Sequence, residues 1–349
     1  MSDYTLITKK IVSVTHDTKC FYFDAPVNLN YQAGQYITLL LNINGKEIRR
    51  PYSLCSSPDI DHELCIAVKL IENGEATRYL HNKLEVGDEL KILKPNGKFV
   101  FPNALPNQLF FMAAGSGIGP ILGLIKYALH RTQSLVVLVY SNSSKDDCIF
   151  YNELQQLMQQ FANRFDVIWL FSDHKNLMKA RLNRFMLEEI VNERVAVKTD
   201  VLFYTCGPFA YMEMIFITLL TMGFKQAQLF KETFTIHEDE DDDEGSLLSD
   251  KETPDYTDAE VTIHVNKLKH SFSLKAGETV LQAAQKNGLD LPYSCMRGMC
   301  SSCVCQLNSG TVHLHYNQVL TDKDVDEGRV LTCTAHPTTN KVELTIEDY

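Results

Sequence analysis

The chain has 349 residues, with 44 acidic against 33 basic side chains for a formal net charge of -11, and it is 45% hydrophobic and 22% charged. That length predicts two or three domains, and the composition excludes a wholly disordered or fibrous chain. The opening MSDYTLITKK lacks the basic start and apolar run of a signal peptide, and no uncharged apolar stretch reaches about 18 residues, so a soluble, cytoplasmic protein without a membrane partner is expected.

The first hundred residues predict short strands over 4–14, 20–24, 36–42, 64–70 and 89–93, rich in Val, Ile, Tyr, Phe and Thr. Asn44-Gly45, Gly87-Asp88 and Asn96-Gly97 supply the turns between them. Strands at this spacing predict an antiparallel β-barrel over residues 1–104. Within it, Arg50-Pro51-Tyr52-Ser53 falls at a strand end. A guanidinium can clamp a diphosphate, a phenol ring can stack on a flat heteroaromatic ring, and a serine hydroxyl can bond a ring nitrogen. Alone, the tetrapeptide is also ordinary surface loop. Gly74-Glu75-Ala76-Thr77, ahead of a helical stretch at 79–84, strengthens it, because small residues at a helix start leave backbone N–H groups open to phosphate.

From about Pro106 the texture changes. Unbroken apolar runs at 109–114, 135–140, 167–171 and 201–204 alternate with helical stretches at 121–130, 151–161 and 211–222. This predicts an α/β domain over 105–235, its parallel sheet covered on both faces. Gly115-Ser116-Gly117-Ile118-Gly119-Pro120 follows the first run and opens the first helix. Strand before and helix after make it a candidate dinucleotide-binding turn; a tight β–α turn without ligand is the bland reading. Cys206-Gly207-Pro208 ends another apolar strand, where ligands gather in parallel sheets.

Between Glu238 and Asp258 eleven acids face a single base, Lys251, so this stretch carries almost all of the net charge. Seven consecutive acids repel one another, and residues 236–258 are expected to be a flexible linker. The rest of the chain is near neutral, without the basic patch that a nucleic-acid partner would require.

Beyond the linker, strands at 261–265 and 271–274, a helix at 279–287 ended by Gly288, and strands at 304–307 and 342–346 predict a small α+β domain over 259–349. Five of the ten cysteines crowd into it. Cys295, Cys300 and Cys303 have the spacing Cys-x4-Cys-x2-Cys, and Cys333 follows thirty residues later. That is the plant-type [2Fe–2S] ligand spacing, four thiolates on two irons. Zinc sites more often show two paired knuckles. Cys305, two residues past Cys303 on a strand, reads as packing, like the scattered cysteines of the first 235 residues.

Residues 259–349 thus resemble a plant-type ferredoxin, which implies a β-grasp fold. In the same order as the motifs above, and continuing to Lys231-Glu232-Thr233-Phe234, residues 1–235 resemble the ferredoxin–NADP reductase family. Nearly the whole chain is similar to NAD(P)H reductase components of bacterial oxygenases, of the phenylacetyl-CoA epoxidase type. The resemblance implies FAD, with Arg50 on its pyrophosphate, Tyr52 against the isoalloxazine and Ser53 near N5. It further implies cofactor contacts from Pro51, Gly74, Ala76, Thr77, Gly115, Gly117, Gly119, Pro120, Gly207, Pro208 and Phe234, and places Cys206 and Glu232 beside the hydride path. Gly119 stands where the family usually has Thr or Ala, and Ser141-Asn142-Ser143-Ser144-Lys145 leaves NADH against NADPH open. A nicotinamide gives two electrons and a [2Fe–2S] cluster takes one, so the three sites together imply a converter that feeds an oxygenase. A reductase for another acceptor, such as a desaturase, a monooxygenase or oxygen, and a redox-inactive sensor or scaffold are the rival readings.

Overall fold

The computed structural model describes residues 4–173, 180–234, 256–265 and 268–346. The chain divides into two compact units at residues 235 and 236.

In the first unit, six strands make one antiparallel sheet: β1 (Tyr4–Ser13), β2 (Thr18–Asp24), β3 (Tyr36–Ile43), β4 (Lys46–Ser53), β5 (Leu64–Lys69) and β6 (Glu89–Ile92). Their order is β4-β3-β6-β1-β2-β5. The sheet curls until its ends meet, where Leu54 bridges Ile66 and the Cys55 N–H donates to Cys65 O at 2.8 Å. Alternation sorts the side chains. Phe21, Phe23, Ile37, Leu39, Ile66 and Ile92 fill the barrel, while Cys20, Cys55 and Cys65 face outward into a second core. Helix α1 (Glu75–Asn82) follows β5 and buries Ala76, Thr77 and Leu80.

The strand β4 departs from the expected pattern. Its sequence, Lys46-Glu47-Ile48-Arg49-Arg50-Pro51-Tyr52-Ser53, is polar and contains a proline, so although Arg50–Ser53 is expected at a strand end, the full eight-residue strand is not apparent. It forms because it lies at the sheet's end, paired with β3 in register Tyr36↔Ser53 and Thr38↔Pro51, where a missing N–H costs little.

Five parallel strands follow: β7 (Gln108–Ala114), β8 (Leu135–Asn142), β9 (Phe165–Phe171), β10 (Val201–Cys206) and β11 (Leu229–Glu232), in the order β11-β10-β7-β8-β9. Helices α2 (Ile118–Arg131), α3 (Tyr151–Gln160), α4 (Arg184–Arg194) and α5 (Phe209–Thr221) connect them. Leu109, Phe111, Leu138 and Tyr204 point to the face covered by α2 and the barrel. Phe110, Met112, Val139 and Phe203 point to the other. Burial on both faces explains the unbroken apolar runs. Helix α4 escapes sequence reading because Phe185 on it is exposed and its apolar face is narrow; Asn183 caps it by accepting from the Met186 N–H at 3.1 Å.

The second unit is built on β12 (Ala259–Val265), β13 (Leu268–Leu274), β14 (Val304–Ser309), β15 (Val312–Leu314), β16 (Arg329–Leu331), β17 (Ala335–Pro337) and β18 (Lys341–Ile346). Five of these make a mixed sheet, β13-β12-β18-β14-β16, and β15 and β17 pair as a separate ribbon. Helix α6 (Val280–Lys286) packs into the core, its start fixed by Thr279 and Gln282 in a reciprocal cap. This is the expected β-grasp. Of the acidic stretch, residues 236–255 lie outside the described residues. Tyr256 stacks on His336 with ring centroids 4.5 Å apart, the Thr257 N–H donates to Pro337 O, and Asp258 pairs with Lys275 at 3.0 Å.

Candidate redox site

In the parallel sheet the chain leaves β7 toward β8 and β9, then returns to β10 on the other side of β7. The carboxyl ends of β7 and β10 therefore border the crevice where ligands bind in such sheets. The glycine turn and Cys206-Gly207-Pro208 both lie there. Gly115 adopts φ +54, and residues 115–117 form one tight turn before α2. Gly117 crosses the end of β10 so closely that a β-carbon on it would overlap the backbone of Cys206. A β-carbon on Gly207 would lie 2.9 Å from that of Ala114. These two glycines let the turn and the strand end interlock, leaving bare backbone facing the crevice. Pro120 sits in the first turn of α2, where no N–H bond is lost, and Pro208 precedes α5.

At the same edge Cys206 and Glu232 are register partners on β10 and β11. Burial holds the Cys206 thiol well above its ordinary range, and the nearby Glu232 carboxylate pushes the same way. Cys206 is therefore a neutral thiol. Thr205 Oγ1 is buried without a hydrogen-bond partner. Phe234 lies just beyond β11, partly exposed.

The barrel contributes β4. Arg50 is half-buried and its guanidinium donates to Arg49 O at 2.9 Å. Burial raises the Tyr52 phenol, opposed by the Arg50 charge. Ser53 Oγ is buried and has no hydrogen-bond partner within the protein. A buried hydroxyl without a partner costs free energy unless a ligand supplies one, so the barrel end fits a flavin. Thr77, by contrast, spends its hydroxyl locally: it accepts from the Ile71 N–H at 3.2 Å and donates to Gly74 O at 3.1 Å. Gly74 has no room for a side chain, since a β-carbon would meet Thr77 Oγ1 at 2.5 Å. No side chain caps α1, so backbone N–H groups at residues 75–77 are what this helix can offer an anion.

In the second unit the cysteine loop curls through Gly298, at φ +69 and close under Tyr316 O, with Met296 also at positive φ. Cys300, Cys303 and Cys333 are buried, and Cys295 is partly exposed. The sulfurs stand as two pairs. Cys303 donates to Cys333 at 3.2 Å. Cys300 bonds Cys295, and that bond lowers the Cys295 thiol to about 6 while raising its own partner. Cys333 is likewise lowered by Cys303. Among the described residues no three His, Cys, Asp or Glu groups close on one point as a single metal ion requires. Two thiol pairs suit a cluster of two irons, each held by two sulfurs. Cys305 is buried in the core, its thiol pushed up to about 12 by burial.

Two features were not legible as site elements in the sequence: the close backbone approach at Gly123 on α2, and Lys126, whose ammonium lies 3.0 Å from Asp61 and 2.5 Å from Glu153. Nothing in the local sequence marks either.

Comparison with known proteins gives three matching domains. Residues 4–101 match the oxidoreductase FAD-binding domain, 111–216 the oxidoreductase NAD-binding domain and 263–338 the 2Fe-2S iron-sulfur cluster binding domain. The chain is 31% identical over 93% of its length, and 87% of the relative's, to the ferredoxin reductase component of 3-ketosteroid-9-alpha-monooxygenase from Mycobacterium tuberculosis. It is 28% identical to one of the subunits of 1,2-phenylacetyl-CoA epoxidase from Escherichia coli, covering 97% of this chain and 96% of that one. In fold it is similar to phthalate dioxygenase reductase, with TM-score 0.61 at 21% identity over 98% of this chain and 97% of that one. Among the described residues no helix is long and apolar enough to cross a membrane. With an FAD-binding barrel, an NAD(P)H-binding sheet and a [2Fe–2S] domain in one chain, this protein belongs to the family of NAD(P)H oxidoreductases that serve as electron-transfer reductase components of oxygenase systems.

Proposed function

We propose that residues 1–104 hold FAD, 105–235 receive NAD(P)H, and 259–349 hold the cluster, joined by a tether that ends before Tyr256, since Tyr256, Thr257 and Asp258 pack onto the second unit rather than belonging to the linker expected over 236–258. Arg50 takes the flavin pyrophosphate, the Tyr52 ring covers the isoalloxazine and Ser53 Oγ bonds its N5 edge. Backbone at Gly74, Ala76 and Thr77 meets the flavin phosphates, with Thr77 acting through the turn it ties rather than through its hydroxyl. Gly115, Gly117, Gly119 and Pro120 shape the nicotinamide dinucleotide's pyrophosphate turn. Gly207 and Pro208 keep the crevice open, and Phe234 borders it. Cys295, Cys300, Cys303 and Cys333 ligate the irons. The flavin, when bound, accepts two electrons together and releases them singly.

The protein's own part is orientation and exclusion of water. Cys206 stays neutral beside Glu232 and so presents an uncharged, poorly hydrated wall to the reacting ring, with the Glu232 carboxylate next to it. The observation that carries this reading is the buried, unpartnered Ser53 hydroxyl at the end of β4. Ser53→Ala tests it. Flavin should still bind through Arg50, while its reduction by NAD(P)H slows by roughly a hundred- to a thousandfold, the range for removing one oriented hydrogen bond at a reacting centre. An unchanged rate would contradict the assignment.

We place the protein in the cytoplasm, where NAD(P)H is supplied and its ten cysteines stay reduced. The acceptor we propose is a terminal oxygenase of the phenylacetyl-CoA epoxidase type, since a relative covering nearly the whole chain is a subunit of that enzyme. Pulldown of the bound oxygenase from the source cells tests this; recovery of a desaturase instead would contradict it.

A further inference from the structure

Helix α2 begins at the glycine turn and runs directly across the chain segment that follows Ser53. The contact is backbone on backbone. A β-carbon on Gly123 would lie 2.9 Å from Ser56 O and 3.3 Å from Leu54 O, and one on Gly119 would lie 3.4 Å from Cys55 Sγ. Further along the same helix, Lys126 grips Asp61 at 3.0 Å, and Arg131 donates to Asp59 O at 3.0 Å. Positions 119, 123 and 126 share one helix face, so a single stripe of α2 is laced to residues 55–61.

The receiving segment has little slack. The Leu54 N–H donates to Gln35 O at 2.9 Å and the Cys55 N–H to Cys65 O at 2.8 Å. Ser56 Oγ accepts from the Cys65 N–H at 3.1 Å and from Tyr31 at 3.0 Å. Any shift of α2 along or toward this segment is therefore passed on rather than absorbed, because packed backbone interfaces do not deform continuously.

We infer that Gly123 and Lys126 are positioning residues that couple the dinucleotide turn at Gly115–Pro120 to Ser53, a coupling that rests on the site assignments proposed above. A nucleotide seated on the turn settles α2, and α2 sets where the Ser53 hydroxyl stands. The flavin segment is thus tightened by the arrival of the donor's phosphates before the nicotinamide ring is engaged.

The test uses the full chain and ADP-ribose, which carries the pyrophosphate but no nicotinamide. Amide exchange is followed by mass spectrometry at 115–120 and at 54–57. In the wild-type chain ADP-ribose should slow exchange at both, by roughly threefold or more at 54–57. In Lys126→Met it should protect 115–120 alone. Lys126→Arg, which keeps the charge, should restore the response. Stopped-flow reduction adds a kinetic readout: Gly123→Ala and Lys126→Met should slow flavin reduction at saturating NAD(P)H by roughly tenfold, leaving nucleotide affinity within about twofold. A merely structural role would lower thermal stability without that split. Protection at 115–120 with none at 54–57 in the wild-type chain overturns the coupling alone. No protection at 115–120 overturns the site assignment and the coupling with it.

Discussion

Glu232 stands beside Cys206 at the carboxyl ends of two adjacent parallel strands, and its charge adds to burial in keeping that thiol protonated. A thiol in this state neither attacks nor donates a proton readily, so the contribution to hydride transfer proposed for it is steric and dielectric. With its pKa raised, the protonated form persists as pH increases. Flavin reduction should therefore show no thiol inflection between about pH 6 and 9, and Cys206→Ala should slow it without altering the pH profile. An inflection near the ordinary thiol range that disappears in Cys206→Ala would contradict this.

The overlap at Gly117 gives a second expectation. A methyl group there has only the backbone of Cys206 and Gly207 to displace, and backbone cannot rotate away. Gly117→Ala should destabilise the first unit by about 1–3 kcal/mol, the range for overpacking, and should weaken NAD(P)H binding more than flavin binding. Gly119→Ala, with a 3.4 Å contact to Cys55 Sγ, should be nearly neutral in both. Thermal melts and nucleotide titrations of the two variants check the contrast.

Lys126 is nearly buried between two partly exposed carboxylates. Replacing it with Met leaves Asp61 and Glu153 facing each other without a cation. Loss of one partner of a buried pair costs about 3–5 kcal/mol, and solvent reaching both carboxylates reduces that to about 2 kcal/mol. Burial acts to lower the Lys126 pKa, but Glu153 and Asp61 together outweigh it and hold the ammonium above its ordinary value. Its contribution is therefore full at neutral pH and fades only in strong alkali. Denaturant melts of wild type and Lys126→Met measure it.

Much of the architecture was legible because the two kinds of strand write different patterns. The doubly buried β7, β8 and β10 give unbroken apolar runs, and the cysteine spacing can be read off directly. What stayed hidden depends on neighbours distant in sequence. β4 is a strand only because β3 pairs with it, and its polar, proline-containing sequence gives no sign of that. Gly123 looks like any helix glycine until α2 is laid across Leu54 and Ser56. Thr77 read as part of a helix start with open backbone N–H groups; that its hydroxyl ties the turn before α1 depends on Ile71 and Gly74 and was not legible.

In the second unit, burial lowers the pKa of both His315 and His336, which share a hydrogen bond of 2.9 Å. Their folded values lie below the ordinary 6.5, so the unfolded chain binds more protons as pH falls through 6.5 and below. Stability is complete above that value and declines under it. His336→Phe, which still stacks on Tyr256, should flatten this acid dependence in melts followed at the cluster's visible absorbance. An equally steep decline in the variant would contradict the assignment.

With the irons removed, the thiols of the cysteine loop should differ in reactivity. Cys295 is partly exposed, and its hydrogen bond from Cys300 holds it below the ordinary thiol range, so it loses its proton more readily than its neighbours. Iodoacetamide should label Cys295 ahead of the buried Cys300 and Cys303, as peptide mapping would show.

The serial route from flavin to cluster is tested most directly by mixing Cys303→Ser rapidly with NAD(P)H and following the flavin and cytochrome c together. The flavin should bleach at the wild-type rate while cytochrome c remains oxidised. Cytochrome c reduction at the wild-type rate would contradict the route.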